Sequence, residues 1–309
     1  MAQVCCTAQE AIAHKIALGA KVCLIGNAWQ PVIVAGTAPR YKPLPMLSRL
    51  RQLFRGPAPA PAAAVPEGQR VYAIGDIHGR ADLLAVMIDA IEADDAARGH
   101  ADTTVILLGD LIDRGPDSAG VIRLAREWQQ RRPVRILAGN HEEMLLDALQ
   151  KEEVLRHFLR FGGRETLLSY PIDPEAYTRA ELHEVMAMAH AAIPAEDLDF
   201  IRGFEDWIEL GDYLFVHAGI RPGVPLADQK PSDLRWIREP FLDHAQPFGR
   251  VVVHGHTITP AVDVRTNRIG IDTGAYRSGR LTALGLEGTE RWQIAAVEDD
   301  GAIRVVKGD

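Results

Sequence analysis

The chain has 309 residues, and its 34 Lys and Arg residues against 42 Asp and Glu residues give a formal net charge of −8. An acidic chain has no overall attraction for phosphate backbones or anionic lipid surfaces, so the totals argue against a nucleic-acid partner and against a membrane-surface protein. With 47% hydrophobic and 25% charged residues, the composition is that of a globular protein with one large domain and appendages.

The cysteines limit the metal chemistry that the chain can support. All three lie within the first 23 residues, so the remainder can hold neither a disulfide framework nor a thiolate zinc site. No stretch reaches the roughly 18 consecutive apolar residues of a membrane helix, and the start of the chain lacks the pattern of a secretory signal. We therefore expect a protein of the reducing cytoplasm with no membrane span, whose metal ligands are His, Asp, Glu or Asn.

Residues 1–69 are predicted to form an N-terminal extension. Residues 57–66 consist almost entirely of Pro and Ala, a composition that favours an extended linker. Before them, residues 46–55 place apolar side chains on one helical face and arginines around the other, which predicts a short amphipathic helix. We interpret this helix as a solvated one, with docking or membrane-surface binding as the alternative. No function is assigned to the extension.

From residue 70 onward, apolar runs alternate with glycine-rich turns and helical periods. Strands are predicted at 71–74, 104–108 and 134–138, each followed by a helix, and this order is that of a βαβαβ unit. Residues 150–205 have mostly helical periodicity. Short β-branched runs then predict six further strands, and the whole order indicates a mixed α/β sandwich. These later strands are expected at 213–216, 251–253, 261–264, 269–271, 281–286 and 292–297.

Polar residues follow several of these predicted strands. The first three strands each run into a polar, glycine-containing turn, and two later strands end at a histidine beside glycine. Because ligands of open α/β sheets bind outside the carboxyl ends of the strands, we expect these turns to meet in one crevice. Together they supply two carboxylates, three imidazoles and one amide oxygen: Asp76, Asp110, His78, His217, His256 and Asn140.

This inventory of side chains is typical of a metal site. Oxygen and imidazole ligands without sulfur suit manganese, iron or zinc, and six of them exceed what one tetrahedral ion can use. A pair of ions that share Asp110 would use all six. Two ions about 3.5–4 Å apart can activate a bridging water as hydroxide and neutralise the oxygens of a phosphoryl group during in-line displacement. The pattern therefore predicts two divalent metal ions and hydrolysis of a phosphate ester.

The same segments resemble a known family. The stretches around Asp76, Asp110, Asn140, His217 and His256 are similar, in order and in spacing, to five motifs of the phosphoprotein phosphatase family of calcineurin-like metallophosphoesterases. Five ordered motifs are highly specific, whereas any one of them alone is weak. The resemblance covers about residues 70–286. It implies a four-layer αββα sandwich of two mixed sheets, with residues 70–309 as the metallophosphoesterase catalytic domain.

The resemblance also implies a role for each motif residue. Asp110 would bridge the two ions, with Mn²⁺ as the expected metal and iron or zinc as alternatives. Arg114 and Arg238 would bind phosphate, for which the planar and permanently charged guanidinium is suited. His141 would act as the general acid, and Asp113 would orient its ring. Asp76, His78 and Asp110 would hold the first ion, and Asp110, Asn140, His217 and His256 the second.

Three functions remain open at this stage. The leading hypothesis is a metal-dependent serine/threonine protein phosphatase with a phosphoprotein substrate. The alternative is a diadenosine-tetraphosphate hydrolase of the same family, against which two residues argue: such enzymes typically carry Ala at the position of Asp113 and Asp at that of Glu142. A non-catalytic pseudophosphatase that serves as a binding module is the third hypothesis, and the unbroken motifs argue against it.

Overall fold

The fold was analysed in a computed structural model. It describes residues 22–25, 28–31 and 62–308 of the chain. The chain divides into two compact units, Met1–Ala60 and Pro61–Asp309. In the first unit, β1 (Val22–Ile25) pairs with β2 (Ala28–Pro31) in antiparallel fashion. The predicted helix at 46–55 and the first half of the predicted linker, residues 57–61, lie outside the described residues. The predicted domain boundary at 69/70 stays a prediction.

The last residues of the predicted linker pack within the second unit. Val65 is only 2% exposed and belongs to an apolar cluster of that unit. Its backbone N–H donates to the carbonyl of Gly288 at 2.8 Å, and the N–H of Ala64 donates to a carboxylate oxygen of Asp212 at 3.0 Å. The packed part of this unit therefore begins before residue 70.

The second unit contains eleven of the strands that the structure describes. Apolar runs form most of them, as the alternating or continuous hydrophobic patterns predict. In chain order they are β3 (Gln69–Ile74), β4 (Asp102–Leu107), β5 (Val134–Ile136), β6 (Trp207–Leu210), β7 (Tyr213–Val216), β8 (Val251–His254), β9 (Asp263–Val264), β10 (Arg268–Gly270), β11 (Arg280–Glu287), β12 (Glu290–Asp299) and β13 (Ala302–Gly308).

These strands form two mixed sheets. The first sheet has the order β13-β12-β11-β3-β4-β5, and the second has the order β6-β7-β8-β10-β9. Strands β3, β4 and β5 are parallel to one another, and so are β7, β8 and β10. The carboxyl ends of parallel strands lie at the same edge of a sheet, so each sheet presents three strand ends together.

Ten α-helices accompany the sheets in the described residues, together with a π-helical turn at Leu159–Gly163 and a 3₁₀ turn at Leu226–Asp228. The α-helices are α1 (Ala81–Arg98), α2 (Ser118–Arg131), α3 (Asn140–Ala148), α4 (Glu152–Phe158), α5 (Arg164–Ser169), α6 (Pro174–Arg179), α7 (Leu182–Ala192), α8 (Ala195–Arg202), α9 (Pro231–Trp236) and α10 (Ala275–Ser278). None of the helices described is long and apolar enough to cross a membrane.

Alternate residues of the central strands pack on opposite faces of the sheets. Tyr72 of β3 belongs to the large cluster that contains the buried residues of α1 and α2, whereas Val71 belongs to a cluster shared by both sheets. In the second sheet, Phe215 of β7 packs between the sheets, and Leu214 packs in a cluster with Leu234 of α9. Helical elements thus cover the outer face of each sheet, and the predicted four-layer αββα sandwich is confirmed.

A buried carboxylate on α1 ties the edge strand β13 to the helical layer. Asp94 accepts hydrogen bonds from the hydroxyl of Tyr72 at 2.8 Å, the indole N–H of Trp292 at 3.0 Å and the ammonium of Lys307 at 2.6 Å. Burial alone would raise the pKa of Asp94, but Lys307, Tyr72 and Arg98 outweigh burial and lower the pKa to about 2. The carboxylate is therefore charged at neutral pH.

We expect Asp94→Ala to lower the free energy of unfolding by about 3 kcal/mol, because it leaves buried donors without an acceptor. Since the folded pKa lies below the unfolded value of about 3.9, the stabilisation should be present at neutral pH and lost as the pH falls through about 2. Urea denaturation at several pH values measures both effects. The control is Asp89→Ala at an exposed position of the same helix; equal losses in the two variants would contradict the prediction.

Candidate metal centre and active site

The predicted ligands meet where the parallel strands end. Asp76 and His78 follow β3, Asp110 follows β4, and Asn140 begins α3 after β5. The other sheet contributes His217 after β7 and His256 after β8. All six side chains belong to buried residues. The structure therefore brings together the set of side chains that the turns predict, from both sheets.

The carboxylate of Asp110 lies between two groups of imidazoles. Its Oδ1 is 3.4 Å from Nε2 of His217, and its Oδ2 is 3.6 Å from Nε2 of His78. Burial alone would raise the pKa of Asp110, but these histidines and His141 hold it well below its usual range. Two clusters able to hold a metal ion share this carboxylate: His78, Asp110 and His141, and Asp110, His217 and His256.

The second cluster contains a contact that calls for a cation. Nδ1 of His217 lies 2.7 Å from the carbonyl of Leu108 and must donate to it, so in the neutral ring Nε2 carries a lone pair. That atom lies 3.1 Å from Oδ1 of Asn140 and also faces Asp110. Burial opposes a proton on His217, but Asp110 outweighs burial and raises its pKa. A cation bound between these side chains would give the lone pairs of His217 Nε2, Asn140 Oδ1 and the Asp110 carboxylate a common partner.

His256 leaves a buried nitrogen without a hydrogen-bond partner. Its Nδ1 lies 2.8 Å from Oδ1 of Asn140, whereas its Nε2 contacts no donor or acceptor among the described residues. Burial lowers the pKa of His256 to about 3, so the ring is neutral at physiological pH. A neutral imidazole is the form that binds a metal. These donors fit a divalent cation.

The first cluster is built in the same way. Nδ1 of His78 donates to the carbonyl of Ile112 at 2.9 Å, which leaves Nε2 as an acceptor. That nitrogen faces Asp110 and accepts a hydrogen bond from Nη1 of Arg114 at 2.8 Å. Burial lowers the pKa of His78 to about 3. The ring is therefore neutral and presents its lone pair to the site.

Asp76 lies outside both clusters of possible ligands. Its two carboxylate oxygens accept the backbone N–H of His256 at 3.1 and 3.0 Å. Burial, together with the charges of Asp272 and Asp110, raises the pKa of Asp76 well above its usual range. Burial also raises the pKa of Asp272 to about 6. Three buried carboxyl groups at one place disfavour each other's ionisation, and a bound cation would remove this conflict.

Two glycines allow these carboxylates to lie against the backbone. A Cβ atom on Gly139 would lie 2.2 Å from Oδ1 of Asp110, and one on Gly255 would lie 2.0 Å from Oδ1 of Asp76. Any larger residue would displace the carboxylate. The glycines beside the predicted ligands are therefore needed for close approach.

Unusual backbone conformations are concentrated at this site. Among the residues that the structure describes, six non-glycine residues have a positive φ, and only Asp300 lies elsewhere. Such conformations are unfavourable for residues with a side chain and persist where the surroundings impose them. The other five residues are His78, Asp110, Asp113, Arg114 and His256.

Glu142 fixes the loop that carries Asp110. Its Oε2 accepts the backbone N–H of Asp110 at 2.9 Å and of Gly139 at 3.0 Å, and its Oε1 accepts that of Leu111 at 2.8 Å. The side chain is 1% exposed. Burial and the charge of Asp110 raise the pKa of Glu142 to about 7. From the sequence, Glu142 served only as an argument against diadenosine tetraphosphate as the substrate. In the structure its hydrogen bonds position the loop of Asp110.

His141 and Asp113 form a buried pair beside the clusters. Nδ1 of His141 lies 2.5 Å from Oδ2 of Asp113, whose Oδ1 accepts a hydrogen bond from the hydroxyl of Thr166. Burial opposes a proton on His141, but Asp110 and Asp113 outweigh burial and raise its pKa. Burial raises the pKa of Asp113. The pair therefore retains a proton, with the imidazole Nδ1 held toward the carboxylate.

The second ring nitrogen of His141 faces the open side of the site. Its Nε2 lies 2.9 Å from Nη2 of Arg114, whose guanidinium is stacked 4.8 Å from the ring centroid of Tyr276. A cavity of about 420 Å³ opens here, and Arg238 lines it on the exposed side. The two predicted phosphate-binding arginines thus border the same cavity as Asp110 and His141.

Several residues of the site were missed by the sequence analysis. Thr166 has no motif of its own, and Asp272 lies in a segment (271–275) that resembles the family but was not predicted as a site residue. Only the three-dimensional structure places Asp272 against Asp76 and Thr166 against Asp113. Phe161 and Trp236 line the cavity although neither has metal or acid–base chemistry. Phe161 directly precedes the double glycine at 162–163, and Trp236 lies two residues before Arg238; these positions were the available signals.

Replacement of Glu142 should weaken metal binding without removing a ligand. Glu142→Gln keeps the size of the side chain, but its amide can accept fewer of the three N–H groups, so the Asp110 loop should loosen. Loss of such a supporting residue typically lowers metal affinity 10- to 100-fold, so a decrease of about tenfold is expected. Titration of the metal-free protein with Mn²⁺ by calorimetry measures it. Unchanged affinity, equal to that of the exposed control Glu153→Gln, would contradict this role.

Comparison with known proteins places this geometry in a family. A family model described as calcineurin-like phosphoesterase matches residues 69–280. The asymmetrical bis(5'-nucleosyl)-tetraphosphatase PrpE of Bacillus velezensis is 28% identical over 68% of this chain and 86% of its own length. A symmetrical bis(5'-nucleosyl)-tetraphosphatase of Nitrosospira multiformis is 22% identical over 72% of this chain and 94% of its own length. Serine/threonine-protein phosphatase 1 of Salmonella typhimurium is 38% identical over 69% of this chain and 90% of its own length. The chain belongs to the calcineurin-like metallophosphoesterase family.

Proposed function

We propose that the protein is a metal-dependent bis(5'-nucleosyl)-tetraphosphatase, which hydrolyses a phosphoanhydride bond of a dinucleoside tetraphosphate. Two of the relatives named above carry this activity in their names, and the matches cover 86% and 94% of their lengths. The observation that carries the proposal is the cavity in which Arg114 and Arg238 border the Asp110 clusters, because a chain of phosphates needs several cationic contacts. This was the alternative in the sequence analysis, and the comparisons support it better than the protein phosphatase.

The metal ligands are proposed as the motifs imply. Asp76, His78 and Asp110 would hold one divalent ion, and Asp110 would also be a ligand of a second ion. Mn²⁺ is the proposed metal, with iron or zinc as alternatives. When bound, the two ions would generate a nucleophile from water at neutral pH and neutralise phosphate oxygens. The second site consists of Asp110, Asn140, His217 and His256.

The remaining residues act on the substrate directly. Arg114 and Arg238 bind phosphate oxygens and orient the phosphorus for in-line attack by water. In the structure Nε2 of His141 accepts a hydrogen bond from Nη2 of Arg114 at 2.9 Å, so this nitrogen can carry a proton only when Arg114 turns toward the phosphate. The protonated ring would then donate from Nε2 to the leaving oxygen as the bridging P–O bond breaks, while the water oxygen forms the new P–O bond and releases its proton to solvent. Asp113 holds the imidazole in the tautomer and orientation that this transfer needs. The products are two ADP for symmetrical cleavage of diadenosine tetraphosphate, or ATP and AMP for asymmetrical cleavage.

A serine/threonine protein phosphatase is the second candidate. The Salmonella relative with that name has 38% identity, and from the five motifs we also propose a likeness to bacteriophage lambda protein phosphatase. The buried His141–Asp113 pair favours this candidate, because the alkoxide of serine is a much poorer leaving group than a nucleotide phosphate and needs a strong general acid. The two candidates share the metal ligands and differ in substrate.

Parallel assays distinguish the candidates. The protein is depleted of metal, reconstituted with Mn²⁺, and supplied with diadenosine tetraphosphate and with a phosphoserine peptide. We expect a higher kcat/KM for the dinucleotide, measured by chromatography of the nucleotide products, and loss of activity in the metal-depleted protein. A higher kcat/KM for the peptide would contradict the proposed dinucleotide substrate and favour the serine/threonine protein phosphatase. Inactivity toward both after full metal loading would favour the non-catalytic binding module.

The general acid can be tested with leaving groups of different basicity. His141→Asn should slow hydrolysis of an alkyl phosphate by about 100-fold or more, because the alkoxide needs a proton as it leaves. Hydrolysis of nitrophenyl phosphate should slow far less, since nitrophenolate leaves without protonation. The control is His183→Asn at an exposed position. Equal slowing of both substrates would mean that His141 does not act as the general acid.

A further inference from the structure

An exposed apolar surface borders the cavity of the metal clusters. Among the described residues, six large hydrophobic side chains are exposed, and three of them line this cavity: Phe161 at 47%, Trp236 at 38% and Ile258 at 39%. Single exposed apolar residues are common, but a cluster beside polar groups indicates a binding surface. None of these side chains is used by the chemistry proposed above.

A hydrogen bond of its own fixes Trp236, and a backbone hydrogen bond of the neighbouring residue fixes the turn of Phe161. The indole N–H of Trp236 donates to Oε2 of Glu143 at 2.7 Å. Phe161 lies in the π-helical turn, next to Gly162, whose carbonyl accepts the backbone N–H of Arg114 at 3.1 Å. Because Arg114 is a proposed phosphate ligand, this hydrogen bond fixes the turn that carries Phe161 relative to the phosphate site.

We propose that Phe161 and Trp236, together termed the aromatic wall, bind a nucleobase of the substrate by stacking. The inference rests on the proposed function, because it places the base beside the phosphates that Arg114 and Arg238 bind. It adds a specificity determinant for the nucleoside. Neither residue takes part in breaking the phosphoanhydride bond.

The chemistry of the wall favours a base over a peptide. A nucleobase presents a flat π-face, for which aromatic side chains provide stacking without a need for sequence-specific hydrogen bonds. A phosphopeptide brings backbone N–H and C=O groups that need partners when they are desolvated. The phenyl ring of Phe161 and the side chain of Ile258 have no polar atoms, and the indole N–H of Trp236 is already bound to Glu143. The wall is therefore poorly equipped for a peptide backbone.

The test compares a substrate that has a base with one that lacks it. Phe161→Ala and Trp236→Ala are assayed with diadenosine tetraphosphate and with inorganic tripolyphosphate. We expect KM for the dinucleotide to rise about tenfold or more in each variant, with a much smaller change in kcat and in the kinetics of tripolyphosphate. Phe161→Tyr and Trp236→Phe keep an aromatic ring and should restore KM. Val264→Ala, at an exposed apolar residue outside this cavity, is the matched control.

The outcomes separate this inference from the proposed function. If the wild type hydrolyses diadenosine tetraphosphate and the alanine variants keep its KM, the aromatic wall is wrong and the proposed function stands. If the wild type prefers the phosphoserine peptide, the proposed function fails, and the wall is judged by inhibition of the peptide reaction. In that case, inhibition of the peptide reaction by ADP that is no stronger than inhibition by pyrophosphate, which lacks a base, overturns the inference. Stronger inhibition by ADP than by pyrophosphate, with the difference lost in Phe161→Ala, supports binding of a base by the aromatic wall.

Discussion

The architecture depends on the burial of three carboxyl groups, those of Asp76, Asp110 and Asp272, at the meeting point of two sheets. Anions that are removed from water repel one another strongly, so they can be kept together only by donors and cations supplied at the same place. The imidazoles that surround Asp110 and the backbone N–H of His256 provide part of this compensation. Divalent metal ions would provide the remainder.

The rest of the site consists of devices that keep this unfavourable arrangement rigid. Glu142 gathers backbone N–H groups from two strand ends, so the loop of Asp110 and the start of α3 move as one unit. The strained φ angles of Asp113 and Arg114 turn one side chain toward His141 and the other toward the cavity. Strain of this kind is tolerable because the sandwich behind it is well packed. The stability of the two sheets therefore maintains the geometry of the catalytic groups.

Much of this structure could be predicted from the sequence. The hydrophobic patterns located β3, β4 and β7 within two residues at each end, because their buried runs are bounded by glycine turns. The edge strand β13 was missed, since most of its residues are exposed and it has no clear apolar face. Local motifs predicted the polar side chains that the structure brings together around Asp110, although Asp76 lies outside both clusters and His141 lies in one of them. Asp272 and Thr166 act through contacts with residues far away in the chain. The choice of substrate was the weakest prediction, because the motifs carry the chemistry that the family shares and do not specify the substrate.

The packing of Val65 shows that the packed unit and the match to the family model begin at different residues. The family model begins at residue 69, at the start of β3, but the side chain of Val65 already fills space between the sheets, next to the turn after β6. A recombinant fragment cut where the family similarity starts would open a water-accessible gap in the hydrophobic interior. The packed part of this unit therefore begins at least four residues before the segment that the family model matches, and Val65 closes the hydrophobic space between the sheets.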